Sequence, residues 1–412
     1  MSAASFSIQQ LLVDAIKLEK MQRFDEARSS CRTVLMIQPK NVDAYHILGV
    51  VDLRAGDFEN AVKNLRQALK LKPDLPEALV NLAYAYQQLG RYTERAAALK
   101  TSLKYLPDRA DLMSDIGLCA EKSGNLTEAQ AWYERAISTD AALVDPRIAL
   151  STIKLVTNDF EAADSLLSEA LRLEPDNARA LVNLAILRDA QGRMDDSLAM
   201  YDRCLAVHPS FIDATYRRAM TLLATGRLSD GWRAYESRFE ASRNAPCFGR
   251  FSLPFWRSEN LAGKHLLVWT EQGPGDEILM GTLLPDLKAL AGRVTLLCSP
   301  RMVPVFRRTF PDYHVFAYDD GTKALSENPA DLQASFSHLG MCLRPSMTAF
   351  SPDKYLVPDT ARVESFRSKY AARAEAKPLV GISWHSANPM AQASKSMALA
   401  DLAPLLRNID AT

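Results

Sequence analysis

Apolar, small and turn-forming positions in the first half of the chain fall on one grid with a 34-residue step, as from Gln22 to Gly56. Bulky apolar or aromatic residues recur at Phe24, Phe58, Tyr92, Leu126, Phe160, Met194 and Leu228. Two columns of small residues accompany them. One holds Ala15, Gly49, Ala83, Gly117, Ser151, Ala185 and Ala219; the other holds Ala27, Ala61, Ala129, Ala163, Ser197 and Gly231 and is broken only by Arg95. Turn residues stand at Gln22, Gly56, Gly90, Gly124, Asn158, Gly192 and Gly226. Prolines close the units at Pro39, Pro73, Pro107, Pro175 and Pro209, with Ala141 in the vacant slot. Each unit therefore predicts two antiparallel helices. Small side chains let the helices approach closely, the turn residue takes the left-handed backbone that ends the first, and proline cannot continue the second. One such pair cannot bury its apolar face alone, so the pairs stack into a curved solenoid.

The grid fails at Arg238, in a column otherwise held by Val34, Ala68, Ser102, Ala136, Ala170 and Cys204. A linker over 241–260 follows, rich in turn and aromatic residues between Asn244 and Trp256. The pattern then changes class. Short apolar runs at His265–Trp269, Val294–Cys298 and His314–Tyr318 alternate with amphipathic stretches at Glu277–Leu290 and Arg301–Phe310. Such alternation predicts βαβ units and a parallel sheet. A helix is expected over Thr360–Ala374, a domain junction at Glu375–Pro378 and a further strand at Leu379–Trp384.

The segment from Trp269 to Leu279 joins the first strand to a helix and carries Gly273, Gly275 and Asp276. Unpaired N–H groups and the helix dipole favour an anion or an ordered polar ligand at such a place. The common nucleotide motifs do not fit. Ile278 takes the third small position of G-x-G-x-x-G, Cys298 and Ser299 stand where an acid would end the second strand, and no G-K-[ST] follows. What remains is a carboxylate, Asp276, in a glycine-lined crevice at the C-terminal end of a strand. It can accept a proton from an acceptor hydroxyl. Aspartate is also a favoured helix cap, and the motif alone leaves both roles open.

Two resemblances sharpen these expectations. Residues 8–240 resemble the tetratricopeptide repeat family, with six full units and a seventh that degenerates. A concave groove suited to an extended peptide or partner helix follows from that architecture. One position per repeat reads Val13, Ile47, Asn81, Asp115, Ala149, Asn183 and Arg217, which makes Asn81, Asp115, Asn183 and Arg217 the polar groove candidates. Further on, Trp232, Tyr235–Arg238, Glu271–Ile278 with Pro285, and Gly381–Ser386 resemble bacterial tetratricopeptide-repeat glycosyltransferases. Those are similar to O-linked N-acetylglucosamine transferase (O-GlcNAc transferase) in architecture and to lipopolysaccharide heptosyltransferases in the Gly-Asp loop.

The resemblance implies a GT-B fold, with two Rossmann-like domains facing across a cleft. Residues 261–375 would form the acceptor side and 376–412 the start of the nucleotide-sugar domain. It implies inverting transfer from a nucleotide sugar to Ser/Thr hydroxyls of a protein held in the groove, with no metal and with Asp276 as base. Donor and phosphate contacts carry over to Gly273, Gly275, Ser386, Lys395 and Ser396, the lysine offsetting charge on the departing diphosphate. The chain departs from the family in two motifs, reading Cys342-Leu-Arg344 for Ser-Leu-Pro and Ser386-Ala387 for Ser-Gly. The related enzymes line the groove with an asparagine ladder, of which Asn81 and Asn183 are the counterparts here. A complete second domain needs about 130 to 150 further residues. A donor domain that stops at Thr412 is expected to be incomplete, and this chain alone not to turn over. The alternative is a non-catalytic interaction scaffold with a vestigial transferase half.

Composition narrows the field further. The 412 residues carry 49 basic and 49 acidic side chains, a formal net charge of zero. A dedicated nucleic-acid or membrane-surface binder needs a basic excess, so neither is expected as partner, and no stretch approaches the ~18 uninterrupted apolar residues of a membrane span. The six cysteines form no CxxC pair. With no signal-peptide pattern at Met1, that implies reduced thiols in a cytoplasmic protein. The six histidines show no metal-binding spacing, His385 reads as structural, and no G-x-S-x-G elbow marks a hydrolase.

Overall fold

The computed structural model describes residues 3–241, 249, 251–271, 273–321, 325–326, 329–351, 353–374, 380–382 and 396–408. The chain divides into two compact units, Met1–Ala241 and Ser242–Thr412.

Among the described residues of the first unit, fourteen helices of eight residues or more pair as seven helix–turn–helix units. The first pairs Ala3–Lys20 with Phe24–Ile37 and the last Ile212–Ala224 with Leu228–Tyr235. The last is shortened: Leu228–Tyr235 has 8 residues, and a single turn at Arg238–Ala241 follows. Every expected turn slot has a positive φ, including the two without glycine, Gln22 at 58° and Asn158 at 59°. The small-residue columns mark true close approaches. A Cβ added to Gly49 would lie 2.6 Å from Leu65 Cγ, and one added to Gly117 would lie 2.6 Å from the Tyr133 ring. Arg95, which breaks the second column, is buried. Its Nη2 donates to Asp115 at 2.8 Å, while its Nε and Nη1 have no hydrogen-bond partner.

The second unit holds a sheet of four strands, β1 (His265–Trp269), β2 (Arg293–Cys298), β3 (His314–Ala317) and β4 (Leu332–Ser335). All are parallel, in the order β3-β2-β1-β4. Both faces are covered, and β1 is buried along its whole length. Leu266, Val268, Leu296, Phe306, Phe336 and Leu339 share one core. β4 has no counterpart among the expected strands, because Gln333 and Ser335 interrupt its short apolar run. Part of the expected linker continues the sheet beyond β4. The Trp256 N–H donates to the Gln333 carbonyl at 2.8 Å, and the Gln333 N–H donates to the Pro254 carbonyl at 2.9 Å.

The amphipathic stretch Glu277–Leu290 is not one helix. Helix Pro274–Met280 passes into a 3₁₀ turn, Gly281–Leu283, before helix Leu284–Leu290 begins with Pro285 in its first turn. Proline has no N–H with which to bond the preceding turn, so the axis breaks there. The helix expected over Arg301–Phe310 is confined to Val303–Thr309, and the one over Thr360–Ala374 forms as expected. Val380–Ile382, the described part of the expected strand at 379–384, form no strand. The rest of it lies outside the described residues.

Candidate functional site

The chain places β2 and β3 on one side of β1 and β4 on the other, so its winding reverses between β1 and β4. Open parallel sheets hold ligands outside the carboxyl ends of their strands at such a reversal. The glycine turn leaves the sheet at that edge. β1 ends at Trp269, and helix Pro274–Met280 begins five residues later with Gly273 in its N-cap position.

Two buried carboxylates hold this turn. Glu277 is 0% exposed. Its carboxylate accepts the Ser299 N–H at 2.8 Å, the Ser299 hydroxyl at 2.5 Å, the Tyr318 hydroxyl at 2.8 Å and the Thr270 hydroxyl. Thr270, Ser299 and Tyr318 are the residues that directly follow β1, β2 and β3, so one side chain gathers three strand ends. Glu271, also buried, accepts the Ser337 hydroxyl at 2.6 Å and the Ser337 N–H at 3.3 Å. Ser337 lies in the first turn of helix Phe336–Leu343, directly after β4. A carboxylate of the chain itself thus occupies the buried N-terminal end of that helix, a place that would otherwise suit an anion.

Between these anchors, Asp276 is exposed. It is the third residue of its helix rather than the N-cap, and its N–H and that of Glu277 both return to the Gly273 carbonyl at 3.0 Å. Asp276 is thus not the N-cap residue of this helix, a place that Gly273 takes. Among the described residues, a Cβ added to Gly275 would meet nothing within 4 Å.

A cleft of about 370 Å³ in the same unit lies elsewhere. Pro285, Asp286, Phe310, Tyr313, Lys354 and Tyr355 are among its walls, and no residue of the glycine turn lines it. Arg344, the departure from Ser-Leu-Pro, is buried and donates to the Asp286 carboxylate.

The four polar groove candidates lie on four separate helices and each has a local partner. The Asn81 amide lies 3.2 Å from His46 Nε2, and Asn183 Nδ2 donates to the Thr152 hydroxyl at 3.1 Å. Arg217 Nε donates to Asp213 at 2.9 Å, and Asp115 accepts from Arg95. Burial pushes the Asp115 carboxyl up from its usual value against the opposing pull of Arg95. In the second unit, Ser396 is half-buried, while Ser386 and Lys395 lie outside the described residues. Among the described residues no three His, Cys, Asp or Glu side chains gather in a metal-binding arrangement, and no helix is long and apolar enough to cross a membrane.

Glu271 and Glu277 stand within the glycine motif, but the sequence alone assigns neither a role. Their spacing carries no signal, because only the folded sheet brings Ser299 and Tyr318 to Glu277.

Comparison with known proteins agrees with the first unit. Tetratricopeptide-repeat models match residues 52–90, 80–143 and 157–222. Protein FlbA of Caulobacter vibrioides is 35% identical over 254 residues, covering 56% of this chain and 42% of FlbA. The probable UDP-N-acetylglucosamine–peptide N-acetylglucosaminyltransferase SPINDLY of Arabidopsis thaliana is 32% identical over 96 residues, covering 23% of this chain and 10% of SPINDLY. The chain thus spans less than half the length of either relative. Among solved structures, a tetratricopeptide repeat protein from Parabacteroides merdae aligns with a TM-score of 0.48 at 15% identity, covering 58% of this chain and 94% of that one. The first unit is a solenoid of tetratricopeptide repeats, an architecture for protein–protein interaction.

Proposed function

We propose that this chain is the partner-holding and acceptor-side part of a protein glycosyltransferase. The repeat solenoid holds a protein, and Asp276 serves as general base for one of its Ser/Thr hydroxyls. One observation carries the reading: an exposed carboxylate stands on a turn pinned by two buried ones, at the carboxyl edge of a parallel sheet where the winding reverses. The strand order, with its reversal between β1 and β4, supports a doubly wound, Rossmann-like reading of this unit. The stretch shared with SPINDLY, named for peptide N-acetylglucosaminyl transfer, points the same way.

In this reading the Asp276 carboxylate takes the hydroxyl proton as the acceptor oxygen attacks the anomeric carbon of a nucleotide sugar. The bond from that carbon to the diphosphate breaks, and the nucleoside diphosphate leaves with the bonding pair. Attack opposite the leaving group inverts the anomeric centre. No metal is assigned a part. Gly273 and Gly275 let donor or acceptor approach the backbone, and Ser386, Lys395 and Ser396 are the donor-side candidates. Asn81, Asp115, Asn183 and Arg217 are the groove contacts.

A second reading, an interaction scaffold without catalysis, draws on the fact that Asp276 lines no part of the cleft found in its own unit. The two separate in the native host. Asp276→Asn is introduced at the chromosomal locus, and partner capture is compared with glycosylation of the captured protein. The transferase reading expects capture to persist and glycosylation to fail; unchanged glycosylation leaves the scaffold.

A further inference from the structure

We propose that Glu277 is the positioning residue of the glycine turn, a buried clamp that ties the start of helix Pro274–Met280 to three strand ends and thereby holds Asp276 outward. Three observations lead there. Glu277 is wholly buried, and among the described residues each of its hydrogen-bond partners is a hydroxyl or a backbone N–H, so oriented dipoles hold its carboxyl group. A carboxylate is kept out of water only where such donors replace its hydration. The donors come from Thr270, Ser299 and Tyr318, residues far apart in sequence that meet only at the carboxyl edge of the sheet. Finally, Glu277 is covalently next to Asp276, and the N–H groups of both bond the same Gly273 carbonyl. Fixing the side chain of one fixes the backbone of the other.

The clamp works through acceptor geometry. In Glu277→Gln, the amide oxygen still accepts from Thr270, Tyr318 and the Ser299 N–H, and the amide nitrogen donates to the Ser299 hydroxyl, which can turn to accept. Glu277→Ala removes every one of these bonds.

The importance of the clamp for catalysis rests on the reading of Asp276 as base, but its existence does not, and the test separates the two. Amide exchange over residues 273–281 is measured on the full chain for the parent, Glu277→Gln, Glu277→Ala and Tyr318→Phe. Expected is exchange at least about tenfold faster over the turn in Glu277→Ala, a smaller rise in Tyr318→Phe, and near-parent protection in Glu277→Gln. The amides of β1–β3 stay protected throughout. Parent-like exchange in Glu277→Ala overturns the proposal. So does equal loss of protection in β1–β3, which would make Glu277 a support of the sheet and not of the turn. Should Glu277→Ala not fold, the proposal falls in the same way unless Tyr318→Phe, folded, loosens the turn selectively. Glycosylation in the host then reads the catalytic consequence. With the base role correct, Glu277→Ala lowers glycosylation of the captured protein while Glu277→Gln restores it. If Asp276→Asn glycosylates as the parent does, the base reading fails and the exchange result still decides the clamp.

Discussion

Arg95 and Asp115 show how a single slot can change the energetics of a repeat. Where the other units place alanine, serine or glycine, this one buries a guanidinium that reaches an aspartate on the next repeat at 2.8 Å. The two ends are unlike: the Arg95 side chain is 4% exposed and that of Asp115 42%. Removing the half-exposed partner leaves a buried guanidinium without its acceptor, a loss of about 1–3 kcal/mol. Removing the buried one leaves an aspartate that water can reach. Asp115→Ala is therefore expected to lower the thermal midpoint more than Arg95→Ala does, and the reverse order in calorimetry would contradict the pairing. Asp115 thus has a structural task that its groove register did not disclose. His265 offers a second residue-scale prediction. Its Nδ1 lies 2.9 Å from the Pro329 carbonyl and its Nε2 2.8 Å from the Thr295 hydroxyl, and burial, the largest influence, holds its pKa below 6.5. The fold therefore prefers the neutral ring. Its contribution is complete above the unfolded value and is lost as pH falls through 6.5 toward the lower folded value. The second unit should lose stability on acidification below about pH 6.5, less so in His265→Gln. A folded-state NMR titration of His265 at or above 6.5 would be the contrary result.

At the scale of elements, the small-residue columns make the sharpest claim. The Gly117 position faces the Tyr133 ring at a distance no Cβ tolerates. Gly117→Ala should cost about 1–3 kcal/mol by forcing the two helices apart, seen as an earlier helical melt by circular dichroism. Gly275→Ala, whose Cβ would meet open space, should change little by comparison. The same contrast explains which elements are legible in the sequence. Helix pairs announce themselves because one period ties packing, turn and stop together. Register alone places Gln22 and Asn158 in their turns, and both adopt the left-handed backbone. β4 is hidden because four residues with two polar side chains make no pattern, and its place is secured by β1 and by the Pro254–Trp256 segment. The break at Gly281 is hidden because amphipathic spacing continues across it. Pro285 signals the restart, and Tyr355 covers the break, its hydroxyl 2.5 Å from where a Gly281 Cβ would stand.

For the molecule as a whole, Asp276 is legible as a candidate from its turn, whereas Glu271 and Glu277 are not, since their roles exist only once four strand ends converge. Repeats that hold a protein and a turn that activates its hydroxyl form one device only if the carboxylate is chemically used. The most direct measurement is the glycosylation rate of the captured protein in a host carrying Asp276→Asn, normalised to the amount captured. Loss of a general base predicts a fall of about a hundredfold or more at unchanged capture. An equal rate in parent and variant would contradict the account.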